Sequence, residues 1–153
     1  VRAFDEKVDL YDADFNKPGT RTISHETTNL AFSPPMIASM ALEYRLTGTT
    51  NQKHDLRLGL QGKYIGRQFI DNSSDETNVL DPYHFVDFRL DYNTKSWFGK
   101  SMRLNLLVNN IFDRLYSSNA WSYRYDYLGE VYVDQGFYPQ AGINFLLGLE
   151  VDF

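Results

Sequence analysis

Three histidines, His25, His54 and His84, are the side chains in this sequence best suited to proton transfer or metal ligation. They lie on different segments without ligand spacing, so the pattern predicts solvent-facing or loop histidines and no metal site. Asp12, Asp14 and Asn16 imitate the start of a calcium loop. The glycine such a loop needs next is Lys17, and its bidentate acid would fall on Ile23, so the imitation ends there. Asp71, Asp75, Glu76 and Asp81 read as an acidic, solvated loop. Cysteine is absent, which removes disulfides, zinc–thiolate sites and cysteine nucleophiles. No G-x-S-x-G, P-loop or dinucleotide fingerprint is present. With no catalytic constellation left, the expectation is a protein that is not an enzyme and needs no cofactor.

Binding chemistry is better represented. Between Tyr116 and Tyr138 stand Tyr116, Trp121, Tyr123, Tyr125, Tyr127, Tyr132, Phe137 and Tyr138. Rigid aromatic surfaces carrying hydroxyls suit aromatic chelates, haem or sugars. Tyr116, Trp121, Tyr123, Tyr125, Tyr127 and Tyr132 are therefore the candidate ligand contacts. The alternation of Trp121, Tyr123, Tyr125 and Tyr127 equally fits one face of a β-ribbon.

The elements that must position these residues are strands. From Ala141, one face collects Ile143, Phe145, Leu147, Leu149, Val151 and Phe153, and the other Gly142, Asn144, Leu146, Gly148, Glu150 and Asp152. The same two-residue period sets Met102, Leu104, Leu106 and Val108 against Arg103, Asn105, Leu107 and Asn109. It sets Val86, Phe88, Leu90 and Tyr92 against Asp87, Arg89 and Asp91. Leu56, Leu58, Leu60 and Tyr64 oppose Asp55, Arg57, Gln61 and Lys63, and Met40, Leu42, Tyr44 and Leu46 oppose Ser39, Ala41, Glu43 and Arg45. Val1 to Leu10, with poorer alternation, is expected to be a sixth strand, and no helix longer than a turn is expected. The charged rows predict cross-strand pairs of opposite sign, worth roughly 0.2–1 kcal/mol each.

The connections alternate in length. Gly48 to Lys53 and Ser96 to Lys100 are short, whereas Tyr11 to Pro35, Ile70 to Pro82 and Asp113 to Pro139 are long and hold the excess of acids. Outer-membrane barrels have this lopsidedness, with brief periplasmic turns and extended outer loops. Acidic outer loops could also share divalent cations with lipopolysaccharide. Aromatics gather near both predicted strand ends, Tyr44, Tyr92, Trp97, Phe98 and Phe153 at one side and Tyr64, Phe69, Tyr83 and Phe85 towards the other, like two interfacial girdles. A soluble sheet alternates too, so a soluble or self-assembling β-barrel or sandwich binding module stands as the alternative.

Composition narrows the classes. A net charge of -5 and a pI near 5.1 speak against a nucleic-acid partner. Mean hydropathy is -0.44 and no long apolar run exists, which excludes a transmembrane helix but not membrane strands of about 9–11 residues. No basic-then-apolar signal follows Val1, so either a leader has been removed or the chain is a fragment.

Leu104 to Tyr116, containing Val108-Asn109-Asn110-Ile111-Phe112-Asp113 and Tyr116, resembles the penultimate strand of TonB-dependent outer-membrane receptors, where V-N-N-L-F-D-x-x-Y recurs. Tyr138 to Phe153 resembles the last strand of that family, and Lys63 to Asn72 the end of an earlier one. Asn119-Ala120-Trp121-Ser122-Tyr123 and Tyr138-Pro139-Gln140-Ala141-Gly142 are similar to versions from the Bacteroidetes. The resemblance implies an all-β, antiparallel transmembrane β-barrel of about 22 strands with an N-terminal plug. It imports a scarce nutrient such as an iron–siderophore complex, haem or cobalamin, and is driven by the TonB complex of the inner membrane. Residues 1–153 would be the C-terminal portion of that barrel, about six strands without the plug, in the cell outer membrane. Expected partners are lipid and lipopolysaccharide, the rest of the receptor, TonB through the missing N-terminal part, the barrel-assembly machinery and the small-molecule nutrient.

The ending also resembles the signal read by the barrel-assembly machinery, polar-x-Gly-x-x-Φ-x-Φ. Gly148, Val151 and Phe153 match, while the polar position holds Leu146. The glycine lets the closing strand bend, and the last two side chains offer an apolar edge.

Overall fold

The computed structural model describes residues 2–47, 54–97 and 100–152. Among them the chain is all-β, with antiparallel sheets and no helix. The eleven strands of the described residues fall into two compact units.

One unit comprises Ile37–Ile65, His84–Leu115 and Ala141–Phe153. It is a five-stranded sheet made of β3 (Ile37–Thr47), β4 (His54–Ile65), β7 (Tyr83–Trp97), β8 (Lys100–Asn109) and β11 (Asn144–Val151), in the order β11-β8-β7-β4-β3. The alternating sequence explains its register. Phe145, Val108 and Phe88 form one row across the sheet, Leu147, Leu106 and Leu90 a second, and Leu149, Leu104 and Tyr92 a third. On the other side of β7, a Cβ built on Gly62 would lie 3.7 Å from Val86, and one on Gly59 would lie 3.7 Å from Arg89. The same alternation therefore passes into β4, and on into β3 through Leu42–Leu60, Tyr44–Leu58 and Leu46–Leu56. All five strands gather the apolar rows predicted from the sequence on one face and the charged rows on the other, with Leu107 and Leu146 as apolar members of the polar side. Every strand end leading into a long connection lies at the same end of this sheet, since Ile37 partners Ile65 and Asn144 partners Asn109.

The apolar face is uncovered among the described residues. Leu42, Phe145, Leu147 and Leu149 are 59–72% exposed, and among the described large apolar residues of this unit Ile65 alone is buried. A lone sheet that hides neither face has no core, because a layer must bury its apolar side against something.

The other unit comprises Val1–Met36, Gly66–Tyr83 and Tyr116–Gln140, close to the three long connections. Its four-stranded sheet joins β1 (Arg2–Tyr11), β2 (Gly19–Thr28), β9 (Ser117–Tyr127) and β10 (Glu130–Pro139) in the order β10-β9-β1-β2. The short strands β5 (Gln68–Phe69) and β6 (Val79–Leu80) pair with each other. Leu128 and Gly129 have φ of 54° and 93°, so a two-residue turn with both residues left-handed joins β9 to β10. Ile70, Leu80 and Ala120 form a small buried cluster, with Val8 also buried.

Two expectations change here. The expected sixth strand forms as β1, but it does not extend the row of alternating strands: it pairs antiparallel with β2 and, over Asp9–Tyr11, parallel with β9. The long connections are not plain loops, because β2 and the β9–β10 hairpin lie within them. Neither sheet closes on itself, so the fold is open sheets and no barrel is seen within these residues.

Candidate functional site

The aromatic stretch is a ladder on one face of the four-stranded sheet. Tyr125 pairs with Tyr132 across the hairpin, and Asp9 and Tyr11 lie alongside Tyr125 and Tyr127 on β1. Tyr123, Tyr125 and Tyr132 stack at centroid spacings of 5.8 Å, and Tyr11 meets Tyr125 edge-on at the same distance. Phe15 stacks on Tyr127 at 4.9 Å. The ring faces are thus largely spent on one another, and the ribbon arrangement is what these residues adopt. Trp121, Tyr123 and Tyr132 keep 40–48% of their surface exposed. Trp121 lies over Gly136, leaving no room there for a Cβ, so the glycine is the seat of the indole. Tyr116 stands apart and stacks on Tyr83 at 4.7 Å.

Hydroxyl chemistry is concentrated at one point of this face. Tyr123 donates to Asp9 Oδ2 at 2.8 Å, which leaves Tyr11 as donor to the Tyr123 oxygen at 3.1 Å. The bonds to Tyr11 and to Asp9 push the Tyr123 phenol well above its usual range. Lys17, 2.7 Å from Asp9, and then Tyr123 hold that carboxyl below the usual range. The cluster is a set of oxygen donors whose charge is already balanced by Lys17.

The opposite face of β9 carries a residue whose importance the sequence reading missed. Arg124, 12% exposed, places Nη2 at 2.7 Å from Ser73 Oγ, 3.1 Å from Asp75 and 3.6 Å from Asp71, with Nε 3.4 Å from Glu6. Glu6 also meets His25 at 3.0 Å, and Asn78 Nδ2 donates to Asp71 at 2.6 Å. Arg67 pairs with Glu76. The acids of the 71–81 stretch that carry these contacts are therefore engaged by protein cations, and the stretch is strapped beneath β9. The signal that could have found Arg124 is its parity: Ser122, Arg124 and Asp126 alternate with the exposed aromatics and so fall on the covered side.

The remaining candidates are placed as follows. His54 stacks on and hydrogen-bonds Tyr92, and His84 is exposed. The described residues contain no cluster of His, Cys, Asp or Glu able to hold a metal. Asp12 Oδ1 accepts from the backbone of Asp14 and Asn16, so it caps a turn. On the polar face of the five-stranded sheet Arg103 meets Glu150 at 2.7 Å and Arg45 meets Asp55 at 2.8 Å, both across strands. Arg89 pairs with Asp91 along its own strand. Arg89, Asp91, Arg103 and Glu150, with Arg57 and Asn105 among others, line a concavity of about 550 Å³. Gly148 lies opposite Asn105 and Val151 opposite Met102, whereas Phe153 falls outside the described residues. Comparison with protein-family models, with curated proteins and with solved structures finds no match for this chain.

Proposed function

We propose that this chain is part of the wall of a TonB-dependent outer-membrane receptor that imports a scarce nutrient of the iron–siderophore, haem or cobalamin type. One observation carries the membrane reading: five adjacent strands present an apolar face that no described residue covers, backed by a polar face rich in paired charges. Exposed apolar patches of this extent are rare on soluble monomers, and lipid is the layer that would cover one. The polar face then lines the lumen. Strands β3 and β11 end the sheet order with one side each unpaired. Hydrocarbon does not tolerate open strand edges, so further strands of the receptor complete the wall. The receptor family and its cargo rest on the resemblance of the Leu104–Tyr116 and Tyr138–Phe153 segments. In this reading the long connections are outer loops near lipopolysaccharide. Trp121, Tyr123 and Tyr132 offer the outward aromatic surface for the nutrient, while Tyr125 and Tyr127 chiefly hold the ladder.

The test is gel migration and solubility of the full-length protein. A barrel requires detergent and migrates faster before boiling than after it. A monodisperse monomer in plain buffer overturns the membrane reading. A plug domain and additional alternating strands encoded ahead of Val1 separate a receptor from a barrel assembled from several chains.

A further inference from the structure

The run Asn109 to Asp113 does more than end a strand. Asn110 and Asp113 both have φ of 51°, a region that asparagine and aspartate enter more readily than other residues with a Cβ. Asn110 is 3% exposed and fully engaged. Its N–H donates to Asp87 Oδ1 at 2.9 Å, and its Nδ2 donates to the carbonyls of Arg114 at 2.9 Å and Ala141 at 3.3 Å. Its Oδ1 accepts from Arg114 N at 3.0 Å, and its carbonyl accepts from Asp113 N at 2.8 Å. Asp113 Oδ1 accepts from Ile143 N at 2.8 Å, and Gly142 has no space for a Cβ beside that oxygen. Ile111 N donates to Val86 O at 2.8 Å. The start of β7, the end of β8 and the lead into β11 meet in this clasp.

Its consequence follows from the period of a strand. Slipping β11 by one residue against β8 would turn Phe145, Leu147 and Leu149 to the polar face, so alternation forbids it. Slipping by two residues leaves both faces unchanged, and alternation is blind to it. The pairs Arg103–Glu150 and Asn109–Asn144 oppose such a slip, but they are exposed and individually weak. The clasp grips the backbone at residues 141 and 143, immediately before the strand starts. We infer that Asn110 and Asp113 are positioning residues that set the register of β11 on β8 by anchoring the backbone of Ala141 and Ile143.

Cysteine pairs read register directly, and residues 1–153 hold no cysteine of their own. Asp152 N donates to Ser101 O at 3.0 Å, so Leu106 and Leu147 lie on a pair that does not exchange backbone bonds, where side chains approach most closely. In the full-length protein, oxidation of L106C/L147C should give the disulfide, and L106C/L149C or L106C/F145C should not. In the D113A background the slipped disulfides should rise by roughly tenfold, as expected from losing one or two hydrogen bonds. D113N keeps an acceptor oxygen and should restore the native pattern. Asp113 is exposed, so D113A tests the inference without opening the buried site of Asn110. Native cross-links alone in D113A, or slipped cross-links already present without it, overturn the inference. The readout is the same in lipid or in water, so a soluble protein would sink the membrane reading and leave this test intact.

Discussion

Arg124 shows how much one side chain can organise. It gathers Glu6, Asp71 and Asp75, from segments far apart in the chain, under a single strand. Replacing Arg124 by Gln leaves those carboxylates close together without their cation, at a cost of roughly 3 kcal/mol, the low end for breaking a buried pair. Amide exchange across residues 71–80 should then speed up while exchange in β3 and β4 stays unchanged; uniform protection would count against the strap. The pH dependence has a definite sign. The Thr77 hydroxyl first, then the Thr77 amide and Arg124, hold the Asp75 carboxyl below its ordinary value. Its contribution is therefore present above the unfolded carboxylate pKa of about 3.9 and is lost as pH falls through the lower folded value. Protection of Thr77 and Asn78 should persist at pH 5 and disappear only in stronger acid. Gly136→Ala should push the Trp121 indole aside at a cost of about 1–2 kcal/mol. A red shift of tryptophan emission would report it, and an unmoved spectrum would mean that the indole has another place to rest.

At the scale of the element, β11 tests which face is which. Leu149 is 65% exposed in the apolar row with Leu104 and Tyr92, and Glu150 on the opposite side meets Arg103. Leu149→Arg should strongly impair membrane insertion, since a charge on the lipid face costs about 2–4 kcal/mol near the midplane. Glu150→Gln loses one exposed pair and should be mild, within about 1 kcal/mol. The amount of folded protein recovered from membranes measures both, and equal tolerance would mean that the faces are assigned the wrong way round. The alternation of β3, β4, β7, β8 and β11 was readable because residues two apart share a face, whatever the strand lies beside. The strands within the long connections were not. β2, Gly19–Thr28, is mostly polar, and β10, Glu130–Pro139, breaks its alternation at Gly136, so neither carries a clear two-residue period.

For the whole molecule, the proposal makes an accessibility prediction. Leu128 lies at the tip of the β9–β10 hairpin, and Lys95 lies near the short-turn end of the five-stranded sheet. In intact cells L128C should react with a membrane-impermeant maleimide, and K95C only after the outer membrane is opened. Labelling of both, or the reverse order, would reject the proposed orientation.

Two-residue periodicity, turn length and the absence of cysteine are properties of neighbours along the chain, and they sufficed for an all-β class, five amphipathic strands and the division between short and long connections. The tertiary structure decided what depends on distant partners. β1 joins β2 and β9 because a poorly alternating segment has no single face to lay on the five-stranded sheet. The tyrosines form a self-stacked ladder because Tyr11 and Phe15 arrive from another segment to complete it. Asn110 and Asp113, visible in the sequence only as a recurring run, become a clasp once Asp87, Ala141 and Ile143 are brought beside them. Hydrogen bonds between residues tens of positions apart leave no period in the sequence, so only the folded chain displays them.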